Sequence, residues 1–170
     1  MHSTHDPALV AQLLDKARAA LAAGNYPVAA IIADDQGRVM AEAENTVFSA
    51  GFDSAAHAEM RVLNTFERLR PCSPRQAHLL VLLEPCPMCT TRLLYAGLAS
   101  VIYVVPDPDG GMLRHIRRLP PAWRDLARLQ DHRRADISHA LQQACADIVG
   151  QGASERRERW RKLMGLQPPT

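Results

Sequence analysis

Apolar positions along the chain change their period at recognisable punctuation. Leu9, Val10, Leu13, Leu14, Ala17 and Leu21 recur at helical spacing, after Asp6-Pro7 as cap and first-turn proline. Gly24-Asn25 ends that helix. Val28 to Ala33 is a short apolar run between turn residues and reads as a buried strand. Asp34-Asp35-Gln36-Gly37 is a hairpin turn, and Arg38 to Glu44 alternates with Val39, Ala41 and Ala43 on one face. Asn45 to Ser54 is polar and is expected to be a loop. A helix is expected over Ala55 to Leu69, with Met60, Leu63 and Phe66 on one side, before Pro71-Cys72-Ser73-Pro74 breaks it.

The second half begins with the consecutive apolar residues Leu79 to Leu83, the pattern of a central strand covered on both faces. A helix from Pro85-Cys86-Pro87 to about Gly97 follows, then a β-rich run over Ser100 to Val105. Strand, helix and strand in that order predict a parallel crossover. Asp107 to Gly111 is expected to be a loop, Met112 to Arg118 a short helix, and Leu126 to Gln130 a fifth strand. Ile137, Leu141, Cys145 and Ile148 make a helical stripe. Ser154 to Met164 reads as a highly charged helix with Trp160, Leu163 and Met164 on its packed side. The sum is an α/β chain: a mixed sheet of about five strands between helices. Residues 1–152 are expected to form the main body, and 153–170 a charged helix and tail within the same domain.

Composition narrows the function classes. The 170 residues are 47% hydrophobic and 22% charged, an ordinary globular balance. A net charge of +2 is too small to argue nucleic-acid binding by bulk electrostatics. Four cysteines, two of them three positions apart, do not make a disulfide scaffold. The first residues, Met1 to Pro7, hold no apolar signal core, and no run approaches the ~18 apolar residues of a membrane span. A reduced, cytoplasmic protein is expected.

Candidate chemistry lies in two motifs, His57-Ala58-Glu59 and Pro85-Cys86-Pro87-Met88-Cys89, each at the start of a predicted helix. Helix N-termini present unpaired N–H groups and partial positive charge, which favour thiolates. Residues three apart share a helix face, so Cys86 and Cys89 can point at one ion. Pro87 is tolerated because the N–H it lacks would be unpaired anyway. His57 would be a third ligand, leaving one tetrahedral position for water, as in catalytic zinc sites. Glu59 is set about 200° around an ideal helix from His57, so the two approach a site beyond the helix end from different sides.

Other readings remain open on these residues. A lone Cys-x-x-Cys at a strand-to-helix junction could be a redox dithiol. Cys72 could close a structural zinc site with His57, Cys86 and Cys89, although Glu59 would then have no role. Cys145 reads as core. Glu84 is expected to bind backbone N–H groups near the site. The run Arg156 to Lys162 reads as a solvated face with Trp160 packed inward, or as a phosphate-contacting surface.

His-x-Glu followed by Pro-Cys-x-x-Cys is the signature of zinc deaminases. The chain resembles the cytidine deaminase-like superfamily, particularly the branch of tRNA-adenosine, guanine and cytosine deaminases. Tyr26-Pro27-Val28-Ala29-Ala30 is similar to that branch's first strand, and Leu83 to Cys89 and Leu94-Tyr95-Ala96-Gly97 continue the likeness. The resemblance implies a three-layer α/β/α sandwich and a homodimer or larger homo-oligomer. It implies one Zn2+ per chain on His57, Cys86 and Cys89, with Glu59 moving protons. It also implies substrate contact at Asn45. From their placement at the two helix starts, the N–H groups near Ala58 and at Pro85-Cys86 are expected to bind the developing oxygen and the base edge. Ala29 stands where the family has glycine, and Asp53-Ser54-Ala55 departs from its Asp-Pro-Thr. The expected substrate is a free nucleobase, nucleoside or related aminated heterocycle. The alternative is adenosine in tRNA, with the last helix gripping phosphates.

Overall fold

The computed structural model describes residues 6–167. Expectations for Met1 to His5 and for the last three residues fall outside this range. In chain order the elements are α1 (Pro7–Ala22), β1 (Ala29–Asp34), β2 (Val39–Glu44), α2 (Ala58–Leu69), β3 (Ala77–Leu83), α3 (Pro87–Ala96), β4 (Ser100–Val105), α4 (Pro121–Ala127), β5 (Asp131–Arg134), α5 (His139–Gly150) and α6 (Ala153–Met164). A 3-10 segment at Leu113–Arg118 precedes α4.

The strands form one mixed sheet in the order β2-β1-β3-β4-β5. β1 pairs antiparallel with both β2 and β3. β3, β4 and β5 run parallel. Because side chains alternate across a strand, each central strand feeds two cores. Ile31, Leu80, Leu82, Ile102 and Val104 face α1 and α5, meeting Leu13 and Cys145. Ile32, Leu79, Val81 and Val101 face α2 and α3, meeting Val62, Leu63, Phe66 and Leu93. Helices on both sides of a mixed sheet are the α/β/α sandwich expected from the sequence. The parallel crossover β3-α3-β4 is present.

Two expectations are corrected. The fifth strand is Asp131–Arg134, not Leu126–Gln130. Leu126 and Ala127 end α4, and Leu129 is 64% exposed in the turn that follows. The true strand carries no apolar alternation. It is selected by backbone pairing from Ser100↔Asp131 to Tyr103↔Arg134 at the sheet edge. Second, Trp160, Leu163 and Met164 of α6 are exposed, and the buried residue of that helix is Arg156. Among the described residues, no helix is long and apolar enough to cross a membrane.

Candidate active site

The site lies at the carboxyl end of β3, the edge where open α/β sheets bind ligands. β3 delivers Glu84-Pro85-Cys86 directly to the start of α3, with Cys86 as N-cap. His57 is the N-cap of α2. Neither cap side chain closes its helix start by a hydrogen bond, and both starts direct the positive partial charge of a helix N-terminus toward the cleft.

The structure brings the two motifs together. His57 Nδ1 lies 3.8 Å from Cys86 Sγ and 3.6 Å from Cys89 Sγ. All three donor atoms fall within 4.8 Å of one another. Tetrahedral zinc with ordinary Zn–S and Zn–N bonds places neighbouring donors about 3.5–3.8 Å apart. The donor set therefore fits a zinc ion in both chemistry and spacing. Cys72 is not a member of this group. It sits near Asp34 and Asp35, at the opposite end of the sheet.

Electrostatics agree with ligation. The Cys89 thiol donates to Cys86, and against burial this, with His57, holds the Cys86 thiol down to about 4. That hydrogen bond and burial push Cys89 up, since two adjacent thiolates repel without a cation between them. Hydrogen bonding to Cys86, opposed by burial, raises His57. Glu59 is 4% exposed. Burial pushes its carboxyl up to about 7, a range suited to proton exchange at neutral pH.

A cavity of about 530 Å³ opens over this cluster. Its walls include His57, Glu59, Cys86 and Asn45 among the residues expected from sequence. The Asn45 Oδ1 accepts the Val47 N–H at 3.1 Å, closing a local turn and leaving the amide N–H groups as donors. Ala58 is fully buried at the first position of α2. Pro85 is not part of the cavity wall. Its carbonyl accepts from Met112 N–H at 2.9 Å and from the Thr90 hydroxyl at 3.2 Å. Glu84 accepts from the Asp107 N–H at 3.1 Å and the Arg114 N–H at 3.3 Å, so it braces the loop after β4.

Tyr26, Phe52 and Asp107 also face the cavity and were not expected there. Arg157, Trp160 and Arg161 of α6 join them, from the run that the sequence offered as a solvated face or a phosphate-contacting surface. The rings of Tyr26 and Phe48, and of Phe48 and Phe52, pack in tilted pairs with centroids 5.7 and 6.0 Å apart. A lone tryptophan within a mixed-charge run was the available signal for α6.

Comparison with known proteins bears on this geometry. Over 157 residues the chain is 27% identical to a tRNA-specific adenosine deaminase of Bacillus subtilis, covering 92% of this chain and 93% of that protein. A solved structure from work on A-to-I editing by tRNA:A34 deaminases superposes with a TM-score of 0.64 at 28% identity, covering 83% of this chain and 99% of that one. Guanine deaminase from Nitrosomonas europaea shares the fold, with a TM-score of 0.66 at 23% identity over 88% of this chain and 86% of that one. The family model for the cytidine and deoxycytidylate deaminase zinc-binding region matches residues 3–105, the stretch that supplies His57, Glu59, Cys86 and Cys89, and the chain belongs to that deaminase family.

Proposed function

We propose that the protein is a zinc-dependent hydrolytic deaminase whose substrate is adenosine presented by tRNA. One observation carries the chemistry: the buried Glu59 carboxyl shares a cavity with the clustered His57, Cys86 and Cys89. His57, Cys86 and Cys89 would hold one zinc ion per chain. Zinc in such a site supplies a Lewis acid and makes water nucleophilic at neutral pH. Glu59 takes a proton from the attacking water and delivers protons to the ring nitrogen beside the amine and to the departing nitrogen. Water is consumed and ammonia released. The Asn45 amide donates to the base edge and holds the ring over Glu59.

The tRNA reading is supported by the likeness to a tRNA-specific adenosine deaminase along nearly the full length of both chains. Arg157 and Arg161 on the cavity wall also suit phosphates flanking a target nucleotide. The near-neutral net charge does not oppose this, because local placement of arginines sets phosphate contact. A free base such as guanine is the second reading, favoured by the shared fold with guanine deaminase.

An ammonia-release screen over tRNA, adenosine, adenine, guanine and cytosine tests these readings. The expected result is turnover of tRNA adenosine, with binding that weakens steeply as salt is added. Turnover of a free base without any tRNA product selects the second reading. Release from none of them removes the deaminase assignment.

A further inference from the structure

Helix α6 lies outside residues 3–105, which carry the family match, yet it forms part of the cavity wall. Apolar burial does not hold it there, since Trp160, Leu163, Met164 and Leu166 are all exposed. A buried cation does. Arg156 is 6% exposed, and its guanidinium is surrounded by main-chain carbonyls. Nε donates to the Asn25 carbonyl. Nη1 donates to Gly152 at 2.8 Å and Gln151 at 3.3 Å, and Nη2 to Leu21 at 3.4 Å. These carbonyls lie at and just past the C-terminal ends of α1 and α5, where the negative ends of the helix dipoles favour a positive charge. Gly152 leaves room for it: at φ 66° it takes a left-handed conformation, and a Cβ there would overlap the guanidinium.

The clasp reaches the substrate side of the fold. Arg159 donates to the carbonyls of Gly24 and Phe48, each at 3.4 Å, and its guanidinium lies 4.6 Å from the Phe48 ring centroid. Asn25 is fully buried and serves both partners. Its carbonyl receives Arg156, its Oδ1 accepts the Phe48 N–H at 2.7 Å, and its Nδ2 donates to Ser49 Oγ at 2.8 Å. One residue therefore fixes α6 and the loop carrying Asn45 and Phe52 in the same frame. The product of this frame is an indole at the cavity wall, Trp160, 38% exposed. Such a ring left in a concave wall is an aromatic face that a planar base can cover.

We propose that Trp160 is a substrate-binding residue of this site, laid over the cavity by α6 to stack on the aminated base, and that Arg156 is the positioning residue that seats it. The proposal rests on the deaminase reading above. It places base binding on a segment outside residues 3–105, which carry the family match, and makes a buried arginine that is not part of the cavity wall a contributor to substrate binding.

The test uses zinc-loaded full-length protein with Trp123→Phe as background, so that emission reports Trp160. Adding tRNA, or guanine if the ammonia screen selects a free base, should quench that emission. Trp160→Ala should raise KM by roughly 5- to 150-fold, the range of base–aromatic stacking, while kcat changes far less. Trp160→Phe should recover most of the affinity. Arg156→Met should reproduce the KM rise, and the double variant should be no worse than either single one, because both act through one contact. Should Arg156→Met fail to fold, Arg156→Lys keeps the charge with fewer donors. It should speed hydrogen exchange of the α6 amides by roughly tenfold, as expected on losing hydrogen bonds to a charged group. Unchanged KM in Trp160→Ala, Trp160 emission indifferent to base, or wild-type exchange of α6 in Arg156→Lys would each overturn the proposal. Failure of wild-type protein to release ammonia from any base is a different result: it removes the deaminase reading, while emission and exchange still report on the seating of α6.

Discussion

The Nδ1 of His57 lies 3.6 Å from the Sγ of Cys89, although 32 positions separate them in the chain. Their meeting requires α2 and α3 to start at the same edge of the sheet. Zinc content is the direct readout of this relationship. Purified wild-type protein is expected to carry one zinc per chain. His57→Ala and Cys89→Ser should each lose it, as measured by elemental analysis after gel filtration. Full zinc occupancy in both variants would contradict the ligand assignment.

Glu59 tests a separate function at the same place. Glu59→Gln keeps the shape of a side chain that is almost fully buried, and removes its capacity to take a proton. The variant should bind zinc normally and lose about 10²- to 10⁴-fold in kcat, the usual contribution of general acid–base catalysis. Single-turnover ammonia release measures it.

The hairpin at the far end of the sheet predicts an acid-dependent contribution to stability. Asp34 accepts from the Gln36 N–H at 2.9 Å, the Arg38 N–H at 3.0 Å and the Arg38 Nε at 2.7 Å. Burial opposes the charged carboxylate, but the Arg38 guanidinium and the two backbone donors outweigh it and hold the carboxyl below its usual range. The folded state therefore binds this proton less readily than the unfolded chain. Its stabilisation is complete above the unfolded value of about 3.9 and is lost as pH falls through the folded value. Asp34→Asn should lower the urea midpoint at pH 7, and the gap from wild type should narrow as the medium is acidified below pH 4. A constant gap across that range would refute the linkage.

Gly111 packs against the Glu84 carboxyl, and a Cβ there would overlap it. Glu84 is buried and joins the end of β3 to the loop carrying Asp107 and Arg114. Gly111→Ala is expected to cost roughly 1–3 kcal/mol by overpacking. Because Asp107 lines the cavity, KM should rise together with the loss in the urea midpoint.

Much of the fold was legible where a single element declares its own environment. Leu79 to Leu83 reads as a doubly covered strand because neighbours on both faces demand apolar side chains. The Cys86–Cys89 spacing reads as one helix face whatever lies around it. β5 was not legible. Asp131, His132, Arg133 and Arg134 have no apolar pattern, and their strand exists because β4 offers an unpaired backbone edge. α6 misled in a different way, since its tryptophan suggested inward packing while the buried side chain is an arginine.

Local chemistry written in the chain determined α1, α2, α3 and α5, the hairpin, the crossover and which four side chains gather at the candidate site. Tertiary structure decided which edge segment became the fifth strand, where α6 came to rest, and which residues wall the cavity. The physical reason is that periodicity and caps are properties of neighbours in sequence. The carbonyls around Arg156 and the open edge of β4 are instead assembled from chain ends that meet only after folding.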